Sequence, residues 1–387
     1  MLFRNFIRTD HNVIQANESE FTFLERCAWP KVENIRLLLQ ECFKNYPDTE
    51  KDDIIARLKS GDSRHFASST FELFLHEYLF RQGCVLLPHP ELPNGSLKRP
   101  DFLVSLPDGQ QFYLEAVCAT EDIGKNDSTE ALKDWALEYV NSRPHQNFVL
   151  SIDSFGEPIT QPSGKKLYGV IKSWLDSLDP EIVLAECNIN GYSSLPEINW
   201  SHEGWEITIQ AIPLEAEYRG THDQLIGIRG HGATWIDSWT PIRKAIQKKT
   251  DRYGQLDLPL VVAVNVRSFR LQLTDEMQAL FGGEKLTFNL GDLNSPNFCK
   301  HTDGAWLGPT GPRGRKCSGA WLFENISPYN LANVKHSLYV NPWAYKPLPN
   351  SAFIMPNRHV YESGVKLIVG SSFKEIFNLS PNWPELE

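Results

Sequence analysis

The sequence is short of several things, and each shortage closes off a class of function. No run of roughly eighteen apolar residues occurs in its 387 residues, so no membrane-spanning helix is expected. Residues 1–15 interrupt their apolar character with Arg4, Arg8, Asp10 and His11, and so lack the unbroken apolar stretch of a secretory signal. The 7 cysteines are scattered, odd in number and form no CxxC pair. That argues against a disulfide frame or a structural zinc site, and for reduced thiols in a cytoplasmic setting. Positive charge is also short, with 38 Lys and Arg against 48 Asp and Glu and a net charge of -10. A protein held to nucleic acid by its overall field would be basic. Net charge, however, describes the whole surface and not one groove. No Gly-X-Ser-X-Gly or HExxH motif occurs, which leaves serine-hydrolase and zincin chemistry without support. The glycine-rich GIRGHGATW at 227–235, with His231 inside it and His222 nearby, lacks a GxGxxG or Walker context. It reads as a mobile loop.

What is present is the composition of a globular protein, 41% hydrophobic and 22% charged. The length suits one large domain or two ordinary ones. Residues 1–60 read as helical, with helices at 33–46 and 49–58 broken at Pro47. In the next segment Phe71, Phe74, Leu75, Tyr78 and Leu79 fall at i, i+3, i+4, i+7 and i+8, one wide apolar stripe on a helix. Leu73 and Phe80 lie on the other side, so both faces are expected to be covered. Ser69 and Glu72 have capping-box spacing, and Gly83 is a natural stop. CVLL then reads as a strand. PDFLVSL and QQFYLEAVC read as two more, joined as a hairpin through Pro107-Asp108-Gly109. A helix at 128–141 and the strand NFVLSI complete an α-β-β-β-α-β order. Beyond it, helices are expected at 165–178 and 241–253, with strands at 205–212, 318–323 and 337–340. LPLVVAVNV reads as a strand buried on both faces. The fold class is mixed α/β. The segmentation is a helical region 1–60, a core 61–155 and an α/β extension 156–387 that packs with the core or carries its own sheet.

The hairpin carries the chemistry. Asp101 opens one strand directly after Pro100, and Glu115 lies near the end of the other, so the two carboxylates can meet across the ladder. Glu115 sits in an otherwise apolar strand, where a carboxylate without a cation or donor is costly. Two such oxygens with the Ala116 carbonyl would suit Mg²⁺ or Mn²⁺, hard cations that take a few protein oxygens plus water and phosphate.

RPDFLV followed by FYLEAV resembles the PD-(D/E)XK nuclease signature, over 66–152. The resemblance implies a restriction-endonuclease-like αβββαβ core, with Asp101 and Glu115 as metal ligands. It also implies a glutamate from the preceding helix, for which Glu72 and Glu77 are both candidates. The family's lysine position holds Val117. Lys98, Lys125 and Lys133 are the candidate replacements, with Lys133 preferred, and the plain reading of each is a surface lysine. His89, in the PHPEL loop, could reach the same site. Arg99, Lys248, Lys249, Arg313, Arg315 and Lys316 belong to basic clusters that either contact nucleic acid or form solvated faces. Arg313, Arg315 and Lys316 lie in GPTGPRGRKCSG, which reads as a flexible basic turn.

The expected function is a cytoplasmic, Mg²⁺-dependent endonuclease cleaving DNA phosphodiesters, in defence or repair. The alternatives are a non-catalytic nuclease-like module that binds nucleic acid or a protein partner, and a metal-dependent hydrolase of another phosphate ester. DNA is the expected partner and a membrane is not. A second copy of the chain or another protein stays open.

Overall fold

A computed structural model describes residues 1–12, 14, 18–119, 127–191, 194–221, 224–230, 239–267, 271–289, 292–300, 302–361 and 364–385. The chain forms two compact units. The first comprises Met1–Asn12, Ser19–Asp122 and Asp237–Glu387, and the second Val13–Glu18 and Ile123–Ile236.

In the first unit α1 (Glu20–Arg26), α2 (Pro30–Asn45), α3 (Lys51–Leu58) and α4 (Ser63–Phe80) precede β1 (Val85–Pro88), β2 (Phe102–Ser105) and β3 (Gln111–Ala119). The second unit then supplies α5 (Asp127–Asn141), β4 (Phe148–Gly156), α6 (Gly164–Asp176) and α7 (Pro180–Asn190). It closes with β5 (Glu197–His202), β6 (Trp205–Pro213) and β7 (Ile226–Gly230). The chain returns to the first unit with α8 (Trp239–Thr250), β8 (Leu260–Val266) and α9 (Leu273–Phe281). There follow β9 (Glu284–Asn289), β10 (Asp292–Lys300), β11 (Leu307–Gly308), β12 (Gly311–Pro312), β13 (Gly319–Glu324) and β14 (His336–Val340). The last elements are β15 (Asn357–Tyr361), β16 (Gly364–Ile368) and α10 (Phe373–Phe377). The class is mixed α/β, as the sequence pattern implies. No helix among the described residues is long and apolar enough to cross a membrane.

The first unit is built on an eight-stranded sheet ordered β1-β2-β3-β8-β13-β14-β15-β16. Pairings β1/β2 and β2/β3 are antiparallel, whereas β3/β8 and β8/β13 are parallel. The β2–β3 turn is the expected one. Gly109 takes φ 85° and donates its N–H to the Leu106 carbonyl at 2.9 Å, a conformation in which glycine pays no Cβ penalty. All seven residues of β8 are buried, as a parallel central strand requires. On one sheet face Tyr113, Leu260, Val262 and Val264 pack with Ile242 and Ile246 of α8 and with Tyr253. On the other, Phe102 meets Tyr46 and His76, and Phe323 meets Phe71.

Three expectations need correction. The helix at 128–141 and the strand NFVLSI exist as α5 and β4, but β4 pairs with β6 and β7 in the separate sheet β5-β6-β4-β7. The place beside β3 belongs to β8, which follows α8 and pairs with β3 in parallel. The second unit is therefore an insertion between β3 and α8, and the division at 60, 155 and 156 gives way to the two units above. Residues 1–12 and 19–60 belong to the first unit, where Leu24, Ile35, Leu39, Ile54 and Leu58 are buried. Finally, α4 starts at Ser63, where the Asp62 carboxylate caps the Arg64 N–H at 2.8 Å. Ser69 and Glu72 lie in mid-helix, which removes the capping-box reading of Glu72. Positions 69–79 of α4 are buried all round, as the two-faced apolar pattern implies.

Candidate active site

Strand register and backbone bonding bring three candidate residues near one another. Pro88 pairs with Phe102, and Phe102 with Leu114. One step past the Phe102–Leu114 pair, Asp101 comes opposite Glu115, and the His89 backbone adjoins Asp101 beyond the last β1–β2 pair. Residues directly opposite on antiparallel strands share a face. Two backbone bonds hold this arrangement: the His89 N–H donates to the Asp101 carbonyl at 3.0 Å, and the Ala116 N–H donates to Asp101 Oδ2 at 2.6 Å. The approach of Asp101 to Glu115 expected from the hairpin is thus reproduced.

Glu115 is 0% exposed. An isolated carboxylate there would be prohibitively costly, and donors from the end of α8 offset the cost. Lys249 Nζ donates to Oε1, the Tyr253 hydroxyl donates to Oε2, and Arg252 Nη1 lies 3.4 Å from Oε1. The helical turn continues past Thr250 through Asp251 N–H to Gln247 O at 3.0 Å. Residues 249, 252 and 253, at i, i+3 and i+4, therefore present one face to β3. Val117, at the expected lysine position, packs among the apolar side chains of this face.

A third carboxylate approaches from α4. Glu72 accepts from Arg57 Nη1 at 2.6 Å, with the Tyr46 hydroxyl at 3.5 Å. Burial, then the charges of Glu115 and Glu72, push the Asp101 carboxyl well above the usual carboxylate range. The Ala116 N–H and Lys249 act in the opposite direction. Tyr46 is raised by burial and then by the anionic field of Glu72, Asp101 and Glu50. These effects place Glu72, rather than Glu77, beside Asp101. Glu77 is taken up elsewhere, by Asn45 Nδ2 at 3.1 Å and Arg81 Nε at 2.6 Å, and serves the packing of α2 against α4.

The remaining candidates separate. Lys98 is exposed, and Arg99 is exposed and bonds Glu91 at 2.7 Å. Lys133 is buried on α5 of the second unit. Lys248 is exposed, one residue off the face that Lys249 uses. Arg313 is a structural clasp: its Nε bonds the Gly304 carbonyl at 2.7 Å and its Nη2 the Asp303 carbonyl at 2.8 Å. Arg315 bonds the Trp343 carbonyl at 2.9 Å and stacks over Tyr345, while the Lys316 side chain is partly exposed. GPTGPRGRKCSG is accordingly an ordered turn around the β11–β12 hairpin. In the glycine-rich 227–235 stretch, residues up to Gly230 pair as β7 with β4. Lys125, His222 and His231 lie outside the described residues.

Lys249 is the residue whose place the sequence did not show. It reads as one member of a basic cluster, yet it is the lysine that reaches Glu115. The available signal was the spacing Lys249-x-x-Arg252-Tyr253 at the end of a helix leading into the most apolar strand.

Among the described residues, no group of three or more His, Cys, Asp or Glu side chains is arranged to hold a metal ion. The hairpin does offer hard oxygen donors from Asp101 and Glu115, with Glu72 adding to the negative field. Asp101 is raised first by burial and then by the charges of Glu115 and Glu72, and its carboxylate with that of Glu115 is the donor type that hard divalent cations take. A scan of protein-family models and searches of curated proteins and solved structures found no match to this chain.

Proposed function

We propose that the chain is a metal-dependent nuclease of the PD-(D/E)XK type that cleaves DNA phosphodiesters, with Lys249 in place of the lysine missing at Val117. One observation carries the reading: Lys249 reaches Glu115 from the helix that leads into β8, and Glu115 lies opposite Asp101. Asp101 and Glu115 would hold the cation. The chemistry supplied there by bound Mg²⁺ or Mn²⁺ is polarisation of a phosphoryl oxygen. The Ala116 N–H orients Asp101, and Tyr253 holds the second oxygen of Glu115. Lys249 orients the attacking water and offsets negative charge developing on the phosphate. The free thiols of Cys27, Cys42, Cys84, Cys118, Cys187 and Cys317 agree with a cytoplasmic setting. A role in defence or repair is the corresponding biological proposal.

A second reading, a non-catalytic module of the same type, is favoured by the full engagement of both Glu115 oxygens. Incubation of plasmid and linear DNA with Mg²⁺ or Mn²⁺ separates the two. Cleavage is expected, with Asp101→Ala and Glu115→Gln each reducing it by about 10³-fold, the equivalent of roughly 4 kcal/mol. Cleavage untouched by both substitutions would sink the site, and absence of both cleavage and Mn²⁺ binding would favour the module.

A further inference from the structure

The engagement of both Glu115 oxygens is the feature that the metal-site reading leaves unexplained. Oε2 accepts from the Tyr253 hydroxyl, and Oε1 accepts from Lys249 Nζ, with Arg252 Nη1 at 3.4 Å. A carboxylate has lone pairs to spare for a further partner, so hydrogen-bonding capacity is not the obstacle. Charge is the obstacle. A dication on Oε1 would stand beside the Lys249 ammonium, and like charges so close repel strongly where water is excluded. Exposure rises outward from the carboxylate, from 0% at Glu115 to 16% at the Lys249 side chain and 41% at Arg252. The chain's own cations therefore cover the carboxylate. They are not equally held. Arg252 lies over the Tyr253 ring, 5.6 Å from its centroid. Lys249 carries a compact ammonium on a flexible stem, and among the described residues Glu115 is its one hydrogen-bond partner.

Lys249 thus does at rest what a hard cation would do. It sets a positive charge on a carboxylate that burial does not allow to stand alone. Resting on the nuclease reading above, we infer that Lys249 is the resting counter-ion of Glu115, and that it and a divalent ion exclude one another at Oε1. Lys249 gives up Oε1 when the site is loaded, and its ammonium becomes available to the attacking water and the phosphate. Tyr253 keeps Oε2 throughout, so Glu115 stays oriented during the exchange. The metal-free protein holds these charges paired and has no free ammonium at the site for a substrate anion. Nucleic acid consequently gains its contact with Lys249 only on the loaded protein.

The sign of one change decides. Mn²⁺ binding to the full chain, without substrate, is measured by titration calorimetry for wild type and Lys249→Met, with folding checked by circular dichroism. Removing a competitor should tighten binding about 10-fold, an ordinary coupling between two ligands. If Lys249 only holds Glu115 in place, the same substitution weakens binding or leaves it unchanged, and either result overturns the inference. Lys248→Met removes an equal charge one residue away, on an exposed side chain, and should change affinity less than about 2-fold. Tightening equal to that of Lys249→Met would reduce the effect to a general field and overturn the inference too. Should Lys249→Met not fold, wild type decides through amine acylation read by mass spectrometry. Mn²⁺ should raise labelling of Lys249 severalfold relative to Lys248, and unchanged or lower labelling overturns the exchange. Failure of wild type and Lys249→Met alike to bind Mn²⁺, or binding that Glu115→Gln leaves intact, would instead overturn the nuclease site itself, and this assignment with it.

Discussion

In the eight-stranded sheet, β8 is buried at all seven positions, and its neighbour β3 carries a fully buried glutamate. In the four-stranded sheet, β6 alternates buried positions with exposed or partly covered ones from Trp205 to Pro213. Its covered side is apolar, with Leu150, Ile152, Ile207 and Ile209, apart from Ser154, whose hydroxyl accepts from Trp205 Nε1 at 2.7 Å. The second sheet follows the ordinary economy of a half-buried antiparallel layer. The first places a carboxylate where solvent cannot reach it and surrounds it with a lysine, a tyrosine and an arginine. A glutamate in that position adds nothing to packing that an aliphatic residue would not supply better. The contrast, joined to the approach of Asp101, is what motivates the proposal of chemistry in the first unit.

The sharpest way to break this comparison is Lys249→Met. DNA cleavage should fall by about 10²- to 10⁴-fold. Leaving Glu115 without its nearest cation should also cost about 3–5 kcal/mol of stability, read from urea unfolding. Unchanged unfolding and unchanged cleavage together would make Glu115 an ordinary buried residue and erase the distinction between the sheets. Ile209→Ala in the four-stranded sheet is the matching packing control. It should cost about 2–5 kcal/mol from lost transfer energy and the cavity left behind. Because no titrating group is touched, that cost should be the same at pH 5 and pH 8, and a strong pH dependence would contradict the apolar reading of this sheet.

The smallest expected effect concerns Asp101. Its folded-state carboxyl is raised by burial, Glu115 and Glu72. Between the ordinary carboxylate pKa and that raised value, the folded chain holds the proton more tightly than the unfolded chain does. The stability this contributes at low pH is lost as pH rises through the window. Asp101→Asn removes the loss, so in EDTA the variant should gain on wild type at pH 8, with the gain shrinking toward pH 4. The same ionisation favours cation binding, so wild-type Mn²⁺ affinity should weaken as pH falls. A gain that grew toward low pH would reverse the assigned sign.

The hairpin was legible in the sequence because its signals are local. The Pro107–Gly109 turn sets the register, and alternation then puts Asp101 opposite Glu115. Mixed α/β class, the two-faced burial of α4 and the buried strand at 260–266 were legible for the same reason, since each rests on spacing within one segment. The partner of β3 was not. Residues 128–152 carry the periodicity of a helix and a strand as well as 239–266 do, and periodicity says nothing about which strand pairs with which. An insertion that folds on its own sheet imitates the continuation of the sheet it interrupts. Periodicity alone points to Lys133 on α5, whereas the pairing of β3 with β8 brings Lys249 of α8 to Glu115. The choice between Glu72 and Glu77 failed differently. Both flank the apolar stripe, and Asn45 and Arg81, which take up Glu77, come from another helix and from the next helical turn.

By itself, then, the sequence determined the elements of this protein, the hairpin with its two carboxylates, and the residue types able to bind a hard cation. The tertiary structure alone decided which helix closes over the hairpin, and with it which lysine reaches Glu115. It likewise brought Glu72 and the His89 backbone to Asp101. The reason is physical: turn chemistry and side-chain alternation act over a few residues, whereas the pairing of β3 with β8 is set by burying two apolar strands against each other across more than a hundred residues of inserted chain.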